Sequence, residues 1–431
     1  MGASSYAVDP RTRPLGPNLE RGLILGAGAI AALGFVLVCL ALGIAAGRVV
    51  RIGVLTGSLL AAAAVMDAGC LRRERLLLPL AAMLCGIGAV ALWRVDAYAA
   101  SKQLLWVMLG STLMVGTFYL VDDPRRLAQL KYVSGATAVL LLLATMLFGV
   151  EVNGAKLWLG TGMFRFQPGE PAKVLMCIFL AGYLADRAPL LAAGERSPHW
   201  LVLPRLRHIG PLALVAAFCL AMFVVQRDLG AAALFFGLFV AMLCIATGRL
   251  SYALIGVGLF LLGAGVAASA FDHVHERVAI WLNPWADPDG SGYQIVQSLF
   301  GLGTGGVFGV GLGHGLLQEA VTPTAVSTDF IFVGIGEELG LAGTCAVVAL
   351  YLAMIYRGFR IGWRARDAFC GLLAAALSTV LAIQTLAILA GLLRLVPLTG
   401  ITLPFISYGG SSLITNFIAL GLLLAISRDA E

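Results

Sequence analysis

Long apolar runs separated by short polar breaks dominate the chain. Twelve of them, near 22–46, 51–69, 76–94, 103–121, 132–149, 171–186, 208–226, 229–246, 251–270, 329–356, 368–393 and 404–427, are long enough, or nearly so, to cross a hydrocarbon core about 30 Å thick as helices. The seam Val225–Leu229 is either a very tight turn or a polar break in one long segment. With 60% hydrophobic and 12% charged residues, the chain carries too little charge for a soluble domain of this size. The expected fold class is an all-α polytopic membrane protein.

Charge adds orientation. A pI near 9.0 need not mean nucleic acid, because about two thirds of the basic residues fall in alternate short breaks, the pattern of cytoplasmic loops. Both termini are then expected in the cytoplasm, as tails over 1–21 and 428–431. Arg48 and Arg51 are mild violations. The first 21 residues have no small-residue cleavage pattern after a short apolar core and read as a tail rather than a signal peptide. Eight cysteines, none in a CxxC pair, point to neither a disulfide framework nor a metal site.

Two loops on the opposite, external side are unusual, about 151–170 and about 271–328. The second is far longer than a connection needs, and its aromatic and aliphatic content argues against disorder. Its glycine-rich run from Gly301 to Gly311 reads either as close packing or as contact with a ligand. Lys156, Arg165, Glu170, Lys173, Arg227, Asp228, Arg277 and Asp287 collect on this side. Singly, each is a helix cap or a solvated charge. Together they describe an outward-facing cavity of cations and carboxylates, suited to an anionic, polar substrate attached to a membrane lipid. No Ser/His/Asp arrangement, zinc-like spacing or P-loop is present, which argues against an ATP-driven pump.

The most informative stretch is Thr328–Phe332 with Gly336–Gly340, which sets Asp329, Glu337 and Glu338 at the head of an apolar segment. An ionisable group in hydrocarbon costs at least about 2.5–3.5 kcal/mol, so three need a reason. If the helix starts at Thr328 or Asp329, Glu337 lies about 12 Å further along it and roughly 80° around. Asp329 then reads as an N-cap, as a general base at the rim of the cavity, or as both.

Ordered motifs over more than 300 residues give this pattern a relative. They are Asn153-Gly154-Ala155 with Trp158-Leu159; Phe164 through Lys173; Gln226-Arg227-Asp228-Leu229-Gly230; Arg277-Val278, Asn283-Pro284, Asp287-Pro288 and Gly290 through Ser298; Thr328–Phe332 with Glu337–Gly340; and Leu403 through Ser412. From about 76 to 427 the chain resembles the SEDS family, which includes RodA, FtsW and SpoVE. The resemblance implies a ten-helix core with a long extracytoplasmic loop between its seventh and eighth helices, preceded here by two extra transmembrane helices over about 22–69. It implies a peptidoglycan glycosyltransferase of the bacterial cytoplasmic (inner) membrane, polymerising lipid II at the outer face beside a class B penicillin-binding protein.

By position in the motifs, Asp329 is the expected catalytic residue. Arg165, Gln167, Glu170, Lys173, Arg277, Ser407 and Tyr408 are expected to bind substrate, with Asp228, Asp287, Glu337 and Glu338 in support. No cofactor or metal ligand is assigned, and a divalent cation, Mg2+ or Mn2+, stays open. Gly169, Asn283, Leu157 and Thr324–Ser327 depart from the family's usual residues. A lipid II flippase and a non-catalytic scaffold for a transpeptidase are the alternative functions.

Overall fold

The structure, a computed structural model, describes residues 16–70, 72–152, 155–160, 165–192, 195–197, 201–203 and 206–429. Residues 1–15 of the N-terminal tail, the motif residues Asn153, Gly154 and Phe164, and residues 430–431 of the C-terminal tail lie outside them.

In chain order the helices are α1 (Pro17–Ala41), α2 (Val50–Gly69), α3 (Leu77–Val95), α4 (Ala97–Leu120), α5 (Lys131–Phe148), α6 (Gly169–Ala192), α7 (Leu206–Val225), α8 (Leu229–Thr247) and α9 (Ser251–Ala270). The long connection folds into α10 (Asp272–Leu282), α11 (Tyr293–Gly305), α12 (Leu317–Ala320) and α13 (Pro323–Thr328). After it come α14 (Ile331–Arg364), α15 (Ala368–Leu392) and α16 (Gly410–Ile426). Ten of these helices are long and apolar enough to span a membrane; α7 and α16 contain shorter apolar stretches. Helices suit this solvent because every internal backbone polar group is satisfied within the segment. The seam at Val225–Leu229 is a turn between two helices, with Arg227 in the left-handed region at φ 60°. The segment after α5 forms a two-stranded antiparallel ribbon, β1 (Val150–Val152) and β2 (Ala155–Trp158), which sets Glu151 opposite Lys156.

Of the ten helices long enough to span, α15 and α3 are the most enclosed, with α6 next, whereas α9 turns nearly all its residues outward. α1 starts at Pro17, five residues before the apolar run, because its first turn is held by charge. Glu20 is fully buried and accepts from Arg73 at 2.7 and 2.9 Å and from Arg75 at 2.9 Å. Asp67 at the end of α2 takes Arg21, Arg73 and Arg75 at 2.9–3.2 Å. Two carboxylates and three guanidiniums thus bolt the first two helices to the segment leading into α3.

At the opposite membrane face α14 is not continuous. Gly340 sits at φ 67°, ψ −165°, conformations that only glycine adopts without strain. The glycine-rich run fills the break. Val310 and Gly311 donate to the Glu337 and Glu338 carbonyls at 3.0 and 3.1 Å, and Leu341 and Ala342 donate to the Gly306 and Val307 carbonyls at 2.9 and 3.0 Å. The run therefore packs against α14, as the first of its two readings expects.

Candidate functional site

The site is assembled where α6, α8, α10, α15 and the Thr328–Asp329 stretch meet the loop between α15 and α16. On α6, Pro171 near the helix start leaves Glu170 and Lys173 one turn apart, and both side chains are buried. Glu170 Oε2 lies 2.7 Å from Lys173 Nζ, an ion pair without a well-directed hydrogen bond. Lys173 Nζ instead donates to Gln384 Oε1 of α15 at 3.0 Å, and Gln384 Nε2 donates to the Thr402 carbonyl at 2.8 Å. Gln384 is absent from the expected site. A lone amide inside an otherwise apolar helix was its signal, since such groups bond across helices.

Asp228 caps α8, accepting from the Ala231 N–H at 2.9 Å. Burial raises its pKa, and the nearby Glu170 charge adds to the rise, while Arg277 and Lys173 oppose it. Arg277 of α10 is half-buried and donates to the Leu398 carbonyl at 3.2 Å. Its charge acts on both Asp228 and Asp329. Asp228 thus shares its field with Glu170, Lys173 and Arg277, and Arg277 links that group to Asp329.

Asp329 stands differently from expectation. It closes α13 rather than opening α14: its N–H donates to the Ala325 carbonyl at 2.9 Å, and the Phe330 N–H bonds the same oxygen at 3.1 Å. Pro323 starts that short helix, so Ser327 and Thr328 complete its last turn. Phe330 holds the capping position of α14, without a side-chain bond. The Asp329 carboxyl is therefore not consumed by capping. It is half-buried, and burial pushes its pKa up to about 6, against the lowering effects of the Thr328 hydroxyl and Arg277.

Asp329 owes its position to the loop over Leu403–Ser412. Ser407 Oγ donates to the Thr328 carbonyl at 2.6 Å and accepts from the Leu403 N–H at 3.0 Å. The Tyr408 N–H donates to the Ser327 carbonyl at 2.9 Å. From α4, buried Gln103 donates to the Ser407 carbonyl at 3.0 Å. Buried Ser407 thus holds the stretch that carries Asp329, whereas the Tyr408 side chain is half-exposed.

Other expected site residues lie apart from this field. Asp287 is exposed and organises its own turn, accepting from the Ser291 N–H at 2.8 Å; that bond lowers its pKa. Glu337 accepts from the Leu316 and Leu317 N–H groups at 2.9 and 3.0 Å, and Glu338 from Arg94 at 3.2 Å. These glutamates tie the long loop to α14, because the break at Gly340 leaves them facing that loop. Arg165 is exposed, and the Gln167 N–H donates to Ser411 Oγ at 3.1 Å. Among the described residues no three His, Cys, Asp or Glu side chains come together as metal ligands. Near Asp329 the neighbouring charge is a guanidinium, so this donor set does not make a protein cage for a divalent cation.

A predominantly helical, polytopic membrane fold with a buried, mixed-charge site at one face defines a class of integral membrane protein. The model of the FtsW, RodA and SpoVE family, described as "Cell cycle protein", matches residues 75–431, and the chain belongs to that family. It is 41% identical over 371 residues to the peptidoglycan glycosyltransferase RodA of Mycobacterium tuberculosis, covering 83% of this chain and 78% of that protein. It is 34% identical over 342 residues to the stage V sporulation protein E of Bacillus subtilis, covering 77% and 87%. Among solved structures, a chain from a peptidoglycan synthase complex studied for coordination of polymerization and crosslinking superposes with a TM-score of 0.66 at 27% identity, covering 83% of this chain and 98% of that one. The rod shape determining protein RodA of Thermus thermophilus does so at 0.60 and 26%, covering 83% and 97%.

Proposed function

We propose that this protein is a peptidoglycan glycosyltransferase that polymerises lipid II at the outer face of the bacterial cytoplasmic membrane, with both termini in the cytoplasm. The observation that carries the chemistry is Asp329: a half-buried carboxyl, free of any capping bond, with its pKa near 6 and a guanidinium in its field. Such a group is ionised at neutral pH yet basic enough to take a proton.

In this reading Asp329 accepts the proton of the acceptor sugar hydroxyl as its oxygen attacks the anomeric carbon of the donor. A carbon–oxygen bond forms to the acceptor, the bond to pyrophosphate breaks, and undecaprenyl pyrophosphate departs with the electron pair. Arg277 and Lys173 lie where they balance the developing negative charge. Glu170 and Gln384 keep the Lys173 ammonium directed into the site. The donor is already activated, so no nucleotide is needed. A divalent cation bound to pyrophosphate would neutralise charge further, and among the described residues no cluster of side chains encircles one. Arg165, Gln167 and Tyr408, at the outer rim, are assigned to contacts with the sugar and peptide. A class B penicillin-binding protein is the proposed partner, supplying crosslinking.

Purified protein should convert labelled lipid II into glycan polymer, in the presence of a co-purified transpeptidase if not alone. No polymer with the partner present overturns the reading.

A further inference from the structure

A cavity of about 260 Å³ lies beside the charged site. Val326 and Ile331, which flank Asp329, form part of its wall; Leu33, Gly34 and Leu37 of α1 form another, against Val90 of α3. Leu33 and Leu37 are 62% and 44% exposed, so α1 presents an apolar rim to the surrounding hydrocarbon and the cavity is a groove open sideways. One end is polar. Arg94 gives Nε to Glu338 at 3.2 Å and Nη2 to the Gly315 carbonyl at 3.0 Å. Glu337 lines the same end, so two carboxylates face one guanidinium there and an anionic headgroup is directed away from it, toward the charged site.

Resting on the glycosyltransferase reading, we propose that this groove seats the head-proximal part of the polyprenyl chain of the lipid-linked substrate, with α1 as its outer wall and the pyrophosphate reaching the charged site at Arg277 and Lys173. The occupant follows from continuity. The stretch that carries Asp329 is shared by the groove and the charged site, and a polyprenyl pyrophosphate is an apolar chain ending in an anion. α1 lies outside the family-matched residues 75–431, so the wall is an addition to the matched core. The ion cluster at Glu20 and Asp67 fixes that added helix in place.

The groove gives position more than affinity, because the chain's alternative surroundings are also hydrocarbon. The kinetic effect of filling it is accordingly modest. Gly34 admits a Cβ in ordinary contact: its nearest neighbours would be Val90 and Leu312, at 3.7–3.9 Å.

The test uses the full-length protein in vesicles, with a photoreactive residue replacing Leu33. An adduct with polyprenyl-linked disaccharide, competed by unlabelled substrate, is the expected result and requires no turnover. Adducts with bulk phospholipid alone, or with the helix of a co-purified transpeptidase, overturn the proposal. In parallel, Gly34→Trp should raise KM about three- to tenfold for the full-length polyprenyl substrate, with kcat kept, and leave a short-prenyl analogue unaffected. Equal effects on both substrates would also overturn it. If the wild type makes no polymer while Leu33 still captures the chain, the enzyme reading fails and the groove stands.

Discussion

Ser407 Oγ donates to the carbonyl oxygen of Thr328 at 2.6 Å, joining the loop before the last helix to the residue next to Asp329. Removing the hydroxyl leaves that carbonyl and the Leu403 N–H without their partner in a buried setting, a cost of about 1–3 kcal/mol. Ser407→Ala is expected to lower kcat about tenfold with little change in KM, since it displaces Asp329 rather than a binding group. Ser407→Thr, which keeps the hydroxyl, should recover part of the loss. Steady-state polymerisation with both variants checks this; a KM effect alone would place Ser407 in substrate binding.

The pH profile has a definite sign. A base works only when ionised, so the rate should rise with pH through about 6 and level off above it. Arg277 lowers the Asp329 pKa, so Arg277→Ala should move the acidic limb to higher pH, and Arg277→Lys should move it less. Rates measured between mildly acidic and neutral pH decide this; an unmoved limb would remove Arg277 from the Asp329 field.

Gln384 bridges Lys173 and the Thr402 carbonyl from within α15. Gln384→Leu keeps the volume but strips both bonds, freeing the ammonium to collapse fully onto Glu170. Activity is expected to fall about tenfold, a loss of about 1.4 kcal/mol in transition-state stabilisation. Thermal stability should change far less, and full activity in Gln384→Leu would make the bridge purely structural.

The buried ion cluster supports a stability prediction. Glu20→Ala leaves Arg73 and Arg75 facing each other without one of their two carboxylates, and breaking such a pair costs about 3–5 kcal/mol. Removing either partner of the exposed, solvent-screened Arg125–Asp429 pair should change stability far less. Unfolding of the two variants in detergent, compared with the wild type, measures the difference.

The spans were legible because a bilayer demands long apolar runs, and all twelve expected segments correspond to helices. The motifs also single out Glu170, Lys173, Asp228, Arg277 and Asp329, which the structure brings near one another through the Glu170–Lys173 pair and the charge of Arg277. What misled was helix phase at Asp329. Capping residues at 327–329 serve equally to end a short helix or to begin a long one, and only Pro323 upstream hints at the first. Glu337 and Glu338 followed the same error, since the turn of backbone at Gly340 depends on contacts with Val307–Gly311 far along the chain. The start of α1 was placed late because Glu20 looks like a tail charge until Arg73 and Arg75 are brought against it.

The most direct measurement of the central claim is glycan polymerisation from labelled lipid II by wild type and Asp329→Asn, each with a co-purified transpeptidase. The isosteric amide keeps size and polarity but accepts no proton. Polymer from the wild type and a loss of at least about 100-fold in the folded variant is the predicted result. Equal polymer from both proteins would contradict Asp329 as the base.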